Sequence, residues 1–198
     1  MTTPLVIATS NPAKVREIRA ILDGVAVLLC SLDRWPDLRA PEETGSTFEE
    51  NARQKALYYA ARTGELVVAE DSGLEIDTLG GAPGVESARF GGSIGYPEKF
   101  RLIYDQLIAS ATDDRRARFV CALVLARGRD VLFETRGVVE GRIASAPRGG
   151  GGFGYDPIFF YPPFNATLAE VSADQKASVS HRGEAFRTLR AYLQRSRF

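Results

Sequence analysis

The segment Phe119-Val-Cys-Ala-Leu-Val-Leu125 restricts the fold more than any other, because its residues are apolar at odd and even positions alike. Successive side chains of a strand point to opposite faces, so this strand needs cover on both. It reads as a central strand. The turn Arg127-Gly128-Arg129-Asp130 leads from it into Val131–Val139, where apolar and polar residues alternate more regularly. Two such runs around a short glycine turn predict a hairpin, and with it an antiparallel pairing.

The chain opens with strand, helix and strand signals in that order. Leu5–Thr9 is rich in β formers, and Ser10-Asn11-Pro12 breaks it where a helix begins. Asn11 suits the N-cap and Pro12 the first helical position, while Val15, Ile18 and Leu22 form an apolar stripe. Val25–Leu29 is the next strand. After the irregular DRWPDLRAPEETG stretch, a capping box of Ser46 with Glu49, or Thr47 with Glu50, predicts a second helix ending at Gly64. Leu66–Ala69 is a compact apolar strand that runs into Glu70-Asp71-Ser72-Gly73. Residues 80–97 read as loop with one helical turn, followed by a helix carrying Phe100, Ile103, Tyr104 and Leu107. Ile158–Tyr161 and a last helix from Ser180, with Phe186, Leu189 and Leu193, complete the pattern. The expected fold is α/β, with a long mixed sheet flanked by helices, and residues 1–198 form a single domain without linker or repeat.

Composition narrows the function. The chain is 44% hydrophobic and 25% charged, as packed globular proteins are. Lys+Arg and Asp+Glu are both 25, so no net field exists to hold nucleic acid or an anionic membrane. Neither partner is expected. The amino terminus lacks a charged n-region before an apolar stretch, and no run approaches the roughly 18 apolar residues of a membrane span, which predicts a cytoplasmic protein. Cys30 and Cys121 are far apart and outside any CxxC spacing, so they read as buried, reduced thiols.

Several residues sit where stability alone would not choose them. Lys14 lies in the first turn of its helix, and His181 and Arg182 follow the N-cap position Ser180, where the helix dipole disfavours cations. Either these side chains bend into solvent, or an anion at each helix start removes the conflict, as in a phosphate site. Glu42 and Glu43 in the irregular loop read as solvated charge or as metal ligands. Glu70 and Asp71 follow an apolar strand, where ligands of α/β sheets gather, and carboxylate oxygens suit Mg²⁺. Asn51 and Lys55 share a helix face. Phe153, Tyr155 and Asp156 follow four glycines, which either give flexibility or let rings and a carboxylate approach a flat ligand. No GxxxxGK[ST] occurs, and the one GxGxxG match, Gly149–Gly154, runs into Pro157 and a strand, so a dinucleotide fold is not expected.

Taken in order, Thr9-Ser10-Asn11-Pro12-Ala13-Lys14, Glu43–Ala52 with Lys55, and Glu70-Asp71-Ser72-Gly73-Leu74 resemble the inosine triphosphate pyrophosphatase family, also called dITP/XTP diphosphatases. Leu79–Gly84, Gly152-Phe153-Gly154-Tyr155-Asp156-Pro157, Lys176 and Ser180-His181-Arg182-Gly183 extend the likeness over nearly the whole chain. Ser10 departs from a common glycine, and Glu70 from a frequent aspartate. The resemblance implies two lobes around a central cleft, a homodimer, and Mg²⁺-dependent hydrolysis of ITP, dITP and XTP to the monophosphate and pyrophosphate. Position by position, it implies that Thr9, Ser10, Asn11, Pro12, Ala13 and Lys14 cradle the triphosphate, with Lys55 and Lys176 adding positive charge. Glu42 and Asp71 would hold the metal, and Asp71 would take the proton of the attacking water. Ser72 would contact substrate, and Phe153, Gly154, Tyr155, Asp156, His181 and Arg182 would hold the base. Lys14 and the SHRG segment weigh against a Maf-type pyrophosphatase, the nearest rival. Glu42 and Asp71 weigh against a nucleotide-binding module without catalysis.

Overall fold

A computed structural model describes residues 3–196. Along the chain run β1 (Thr3–Ile7), α1 (Pro12–Ile21), β2 (Val27–Ser31), α2 (Phe48–Thr63), β3 (Leu66–Ile76) and α3 (Tyr96–Ala109). The hairpin strands β4 (Arg116–Arg127) and β5 (Asp130–Ile143) follow, then β6 (Phe159–Tyr161), β7 (Ala166–Thr167), α4 (Ala173–Val179) and α5 (His181–Arg195). The strands form one sheet in the order β2-β1-β3-β4-β5-β6-β7. β1 is parallel to both neighbours, with Leu5 paired to Leu29 and to Leu66. β6 is antiparallel to β5 and β7, so the sheet is mixed, as the sequence predicts. Gly128, at φ +60°, supplies the left-handed residue of the two-residue turn between β4 and β5.

Local chemistry sets the helix ends. The Asn11 side chain accepts from the backbone N–H groups of Ala13 and Lys14, and Pro12 has no N–H to satisfy. Of the two boxes at the second helix, Thr47 with Glu50 is realised: Thr47 Oγ1 accepts from the Glu50 N–H at 3.1 Å. The Glu50 carboxylate reaches back to the N–H and the hydroxyl of Ser46. Gly64, at φ +72°, ends the helix in the left-handed conformation.

Several elements differ from the sequence reading. β1 spans Thr3–Ile7 rather than Leu5–Thr9 and β2 Val27–Ser31 rather than Val25–Leu29, while the last helix begins at His181, directly after Ser180, as the sequence reading has it. α4 was not anticipated, although Ser172 and Gln175 form a complete capping box before it. Most consequential, β3 does not stop at Ala69 but continues to Ile76. Glu70 and Asp71 break the apolar run and so read as a strand end, yet both are buried among partners that satisfy them, and the backbone stays extended.

The chain divides into two compact units. The first gathers the chain up to Asp71, Cys121–Gly137 and the chain from His181 onward. Its core packs Leu5, Ile7, Leu66, Val68 and Leu123 with Ile18 of α1, Leu22 just after it, and Phe186 and Leu189 of α5. The second holds Ser72–Val120 and Val138–Ser180. Leu74, Ile76, Phe100, Ile103, Phe119, Ile158 and Phe159 form its core. Cys30 and Cys121 are buried free thiols, as expected.

Candidate active site

Alternation along β3 sorts two adjacent carboxylates onto opposite faces of the sheet. Glu70 shares its face with Leu66 and Val68, the side covered by α1 and α5. There its carboxylate lies 2.7 Å from Lys14 Nζ and 3.3 Å from Arg182 Nη2. Arg182, only 2% exposed, gives Nη1 to Glu17 at 2.9 Å. Burial alone would raise the Glu70 carboxyl, but Arg182 and Lys14 hold it well below the usual carboxylate range. The Cys121 thiol donates to the same carboxylate at 3.4 Å, and its own pKa is pushed well up by burial and by that charge.

This hub answers the conflict seen at the two helix starts. Lys14 and Arg182 do face an anion, and in this structure it is Glu70. Arg182, expected at the base, thus has a first duty toward a carboxylate. His181 is buried at the first position of α5. Gly137 lets β5 approach that turn, since a Cβ there would lie 2.1 Å from the His181 carbonyl oxygen.

Asp71 faces the other way. Its Oδ2 accepts from Asn51 Nδ2 at 3.0 Å, while Asn51 Oδ1 accepts from the Gly45 N–H at 2.8 Å. Asn51 is fully buried, so α2 delivers one amide that fixes both the loop and the carboxylate. One turn on, Lys55 Nζ donates to the Glu70 carbonyl at 3.1 Å and pairs with the Glu43 carboxylate. Burial raises the Asp71 carboxyl; Lys55 opposes this, and the charge of Glu43 adds to it. The Lys55 ammonium is opposed by burial but raised overall by Glu43 and Asp71. The shared helix face of Asn51 and Lys55 was the available sequence signal, and it understated Asn51.

Glu42 is exposed, with no ion pair or hydrogen bond to the described residues. Among the described residues no three His, Cys, Asp or Glu side chains meet as a ready-made metal cage. A hard cation held by one or two carboxylates and completed by water and phosphate needs no such cage. The donor set fits that kind of ion: Asp71 is a buried carboxylate with the charges of Glu43 and Glu70 beside it as well as the Lys55 ammonium, and an added cation would relieve the carboxylates.

The segment expected to cradle phosphate leaves β1 and enters α1. Ser10, Asn11 and Pro12 are exposed, Thr9, Ala13 and Lys14 half-buried, and Thr9 Oγ1 accepts from the Asn11 N–H at 3.2 Å. Ser72, the next residue of β3, is half-buried.

In the second unit, the glycine-rich segment is pinned rather than loose. Asp156 Oδ2 accepts from the Phe153 N–H at 2.7 Å and from Lys176 Nζ at 2.6 Å. The same ammonium lies 4.5 Å from the centre of the Phe153 ring. Gly152, at φ +67°, is required there, because a Cβ would fall 2.1 Å from Asp156 Oδ2. Tyr155 is buried and donates its hydroxyl to the Ser87 carbonyl at 2.8 Å. Lys176, expected among the phosphate cations, is here the clamp of Phe153 and Asp156. α4 places it.

Residues 5–192 match the sequence model of the Ham1 family. The chain is 48% identical over 192 residues to the dITP/XTP pyrophosphatase of an Exiguobacterium species, with 96% of each chain covered. It is similar to the structure of a HAM1 protein from Coxiella burnetii at a TM-score of 0.92 and 37% identity, covering 98% of this chain and 100% of that one. The nucleoside-triphosphatase / dITP/XTP pyrophosphatase of Mycobacterium abscessus is similar at a TM-score of 0.77 and 38% identity, with 94% and 98% covered.

Proposed function

Because this chain belongs to the Ham1 family, we propose that it hydrolyses dITP, XTP and ITP to the nucleoside monophosphate and pyrophosphate, removing deaminated purines from the nucleotide pool. The observation that carries the reading is Asp71: a buried carboxylate, raised by its surroundings and oriented by Asn51. A raised carboxyl is a better proton acceptor than an ordinary one.

In this reaction Asp71 takes the proton of the water that attacks the α-phosphorus, and pyrophosphate leaves. Asn51 keeps the carboxylate aimed. Lys55 and Lys14 balance the charge that grows on the phosphate oxygens, with Lys14 turning from Glu70 toward the ligand from its half-buried position. Thr9 to Ala13 offer the exposed turn before α1 to the triphosphate. Glu42 and Asp71 would hold Mg²⁺, which when bound neutralises phosphate charge and makes water more acidic. Ser72 contacts substrate, and the clamped Phe153 ring presents a face to a purine. We assign His181 a contact to the base, and Arg182 the task of holding Glu70. The working form we propose is a cytoplasmic homodimer that engages neither nucleic acid nor membrane. No described helix is long and apolar enough to cross a bilayer.

The test is a panel of ITP, dITP, XTP, GTP, ATP and UTP with Mg²⁺, separating monophosphate from diphosphate products. Monophosphate and pyrophosphate, fastest from the 6-oxopurines ITP, dITP and XTP, are expected. Release of diphosphate and orthophosphate, or a preference for UTP, would overturn the reading.

A further inference from the structure

The loop that follows β3 folds back along the strand it has just left. Ile76 N–H donates to the Ala82 carbonyl at 3.2 Å, and Glu75 bridges to Pro83. At Leu74 the backbone partner is replaced by a side chain: the Leu74 N–H donates to Ser87 Oγ at 2.9 Å. The Ser87 hydroxyl in turn donates to the Gly84 carbonyl at 2.6 Å. Both bonds hold a residue only 5% exposed, and its backbone N–H also donates to the Gly84 carbonyl at 3.0 Å, so the peptide is fixed as well as the side chain. The Ser87 carbonyl accepts the Tyr155 hydroxyl. Lys99 holds the adjacent Ala88 carbonyl at 2.6 Å, so the segment is pinned at two successive peptides.

We infer that Ser87 is a positioning residue for base recognition, setting the place of the Phe153–Asp156 loop through the Tyr155 hydroxyl. Tyr155 stands between Gly154 and Asp156, so moving its ring moves the backbone that carries the Phe153 clamp. Its ring is steadied edge-on by Tyr96, with centroids 5.2 Å apart, but the ring contact sets no height along the loop. The hydrogen bond to Ser87 does. The inference rests on the reading of Phe153–Asp156 as the base site.

Tyr155→Phe removes the tie and keeps the ring; Ser87→Ala removes its anchor. For either, KM for ITP should rise about tenfold, the scale of one lost hydrogen bond to a neutral group, with kcat within about twofold. The ratio of kcat/KM for ITP over ATP should narrow. The double variant should be no worse than the weaker single, because both act through one link. If wild-type enzyme does not prefer ITP to ATP, the base-site reading fails and this assignment with it. If wild type is selective, an unchanged KM in Tyr155→Phe, equal losses for ITP and ATP, or multiplied effects in the double variant overturn the Ser87 assignment alone. Tyr155→Phe decides the matter even if Ser87→Ala fails to fold.

Discussion

Glu70 and Asp71 differ by one methylene and one position, yet their surroundings assign them opposite work. Asp71→Asn keeps shape and the Asn51 contact but loses the proton acceptor. Turnover of ITP should drop by about 10²–10⁴ with the unfolding midpoint unchanged, and steady-state kinetics beside thermal denaturation will show whether it does. Glu70→Gln should do the reverse first, leaving the buried Arg182 guanidinium with Glu17 but without its second carboxylate. Breaking a buried pair from one side costs about 3–5 kcal/mol, measurable by urea unfolding. A loss under about 1 kcal/mol would mean that Glu70 is not the hub described. Tyr155 offers a pH readout of packing. Burial, and Tyr96 beside it, raise its phenol, so the native state keeps a proton that the unfolded chain releases above the ordinary tyrosine value near 10. Its contribution is complete below that pH and fades as pH rises toward the raised value. Tyr155→Phe should therefore flatten the decline of stability above about pH 10 relative to wild type.

At the scale of elements, the sequence was most legible where backbone groups must be satisfied locally. Asn11-Pro12 and Thr47 with Glu50 announce α1 and α2 because capping uses neighbours only a few residues away. The extent of β3 was not legible, since nothing local says that Lys14 and Arg182 will arrive to neutralise Glu70 from distant parts of the chain. α4 was legible in principle from Ser172 and Gln175, but its seven residues carry too little apolar periodicity to stand out. The glycine run was ambiguous for a related reason: composition cannot separate a loose loop from one where a carboxylate fills the space of a missing side chain. Gly152 is the second kind. Gly152→Ala should push Asp156 from the Phe153 N–H and raise KM for ITP several-fold, while kcat, which the proposed base Asp71 governs, changes little. A fall in kcat at constant KM would show that the loop serves the chemical step instead.

Across the whole molecule, the absence of any linker in the sequence has a structural cause. The chain passes from one unit to the other inside β3, β4 and β5, and once more between α4 and α5. The crossings at Asp71–Ser72, Val120–Cys121 and Gly137–Val138 fall in extended strands with no Pro-, Gly- or Ser-rich run, so two compact units are written as one continuous α/β pattern. The candidate site was legible as a set of motifs, those before α1 and around Gly152 because they sit at an element end or in a turn, whereas Glu70-Asp71 lie inside β3 and Asn51 and Lys55 inside α2. Its pairing scheme was not, and the lysines show it: Lys14 was legible as a cation at a helix start, but not as the partner of a carboxylate at position 70.

The two faces of β3 also make the order of its letters matter. Pairing of Leu66, Val67 and Val68 with Leu5, Val6 and Ile7 locks the strand in register, so neighbours cannot trade sides. A chain with Glu70 and Asp71 transposed would be an anagram: the same mass, the same isoelectric point, and no difference on a gel or in an amino-acid analysis. It would set the short carboxylate before Arg182 and crowd the long one against Asn51, damaging hub and proposed catalyst together. Its meaning resides in syntax, and only an assay could read the difference.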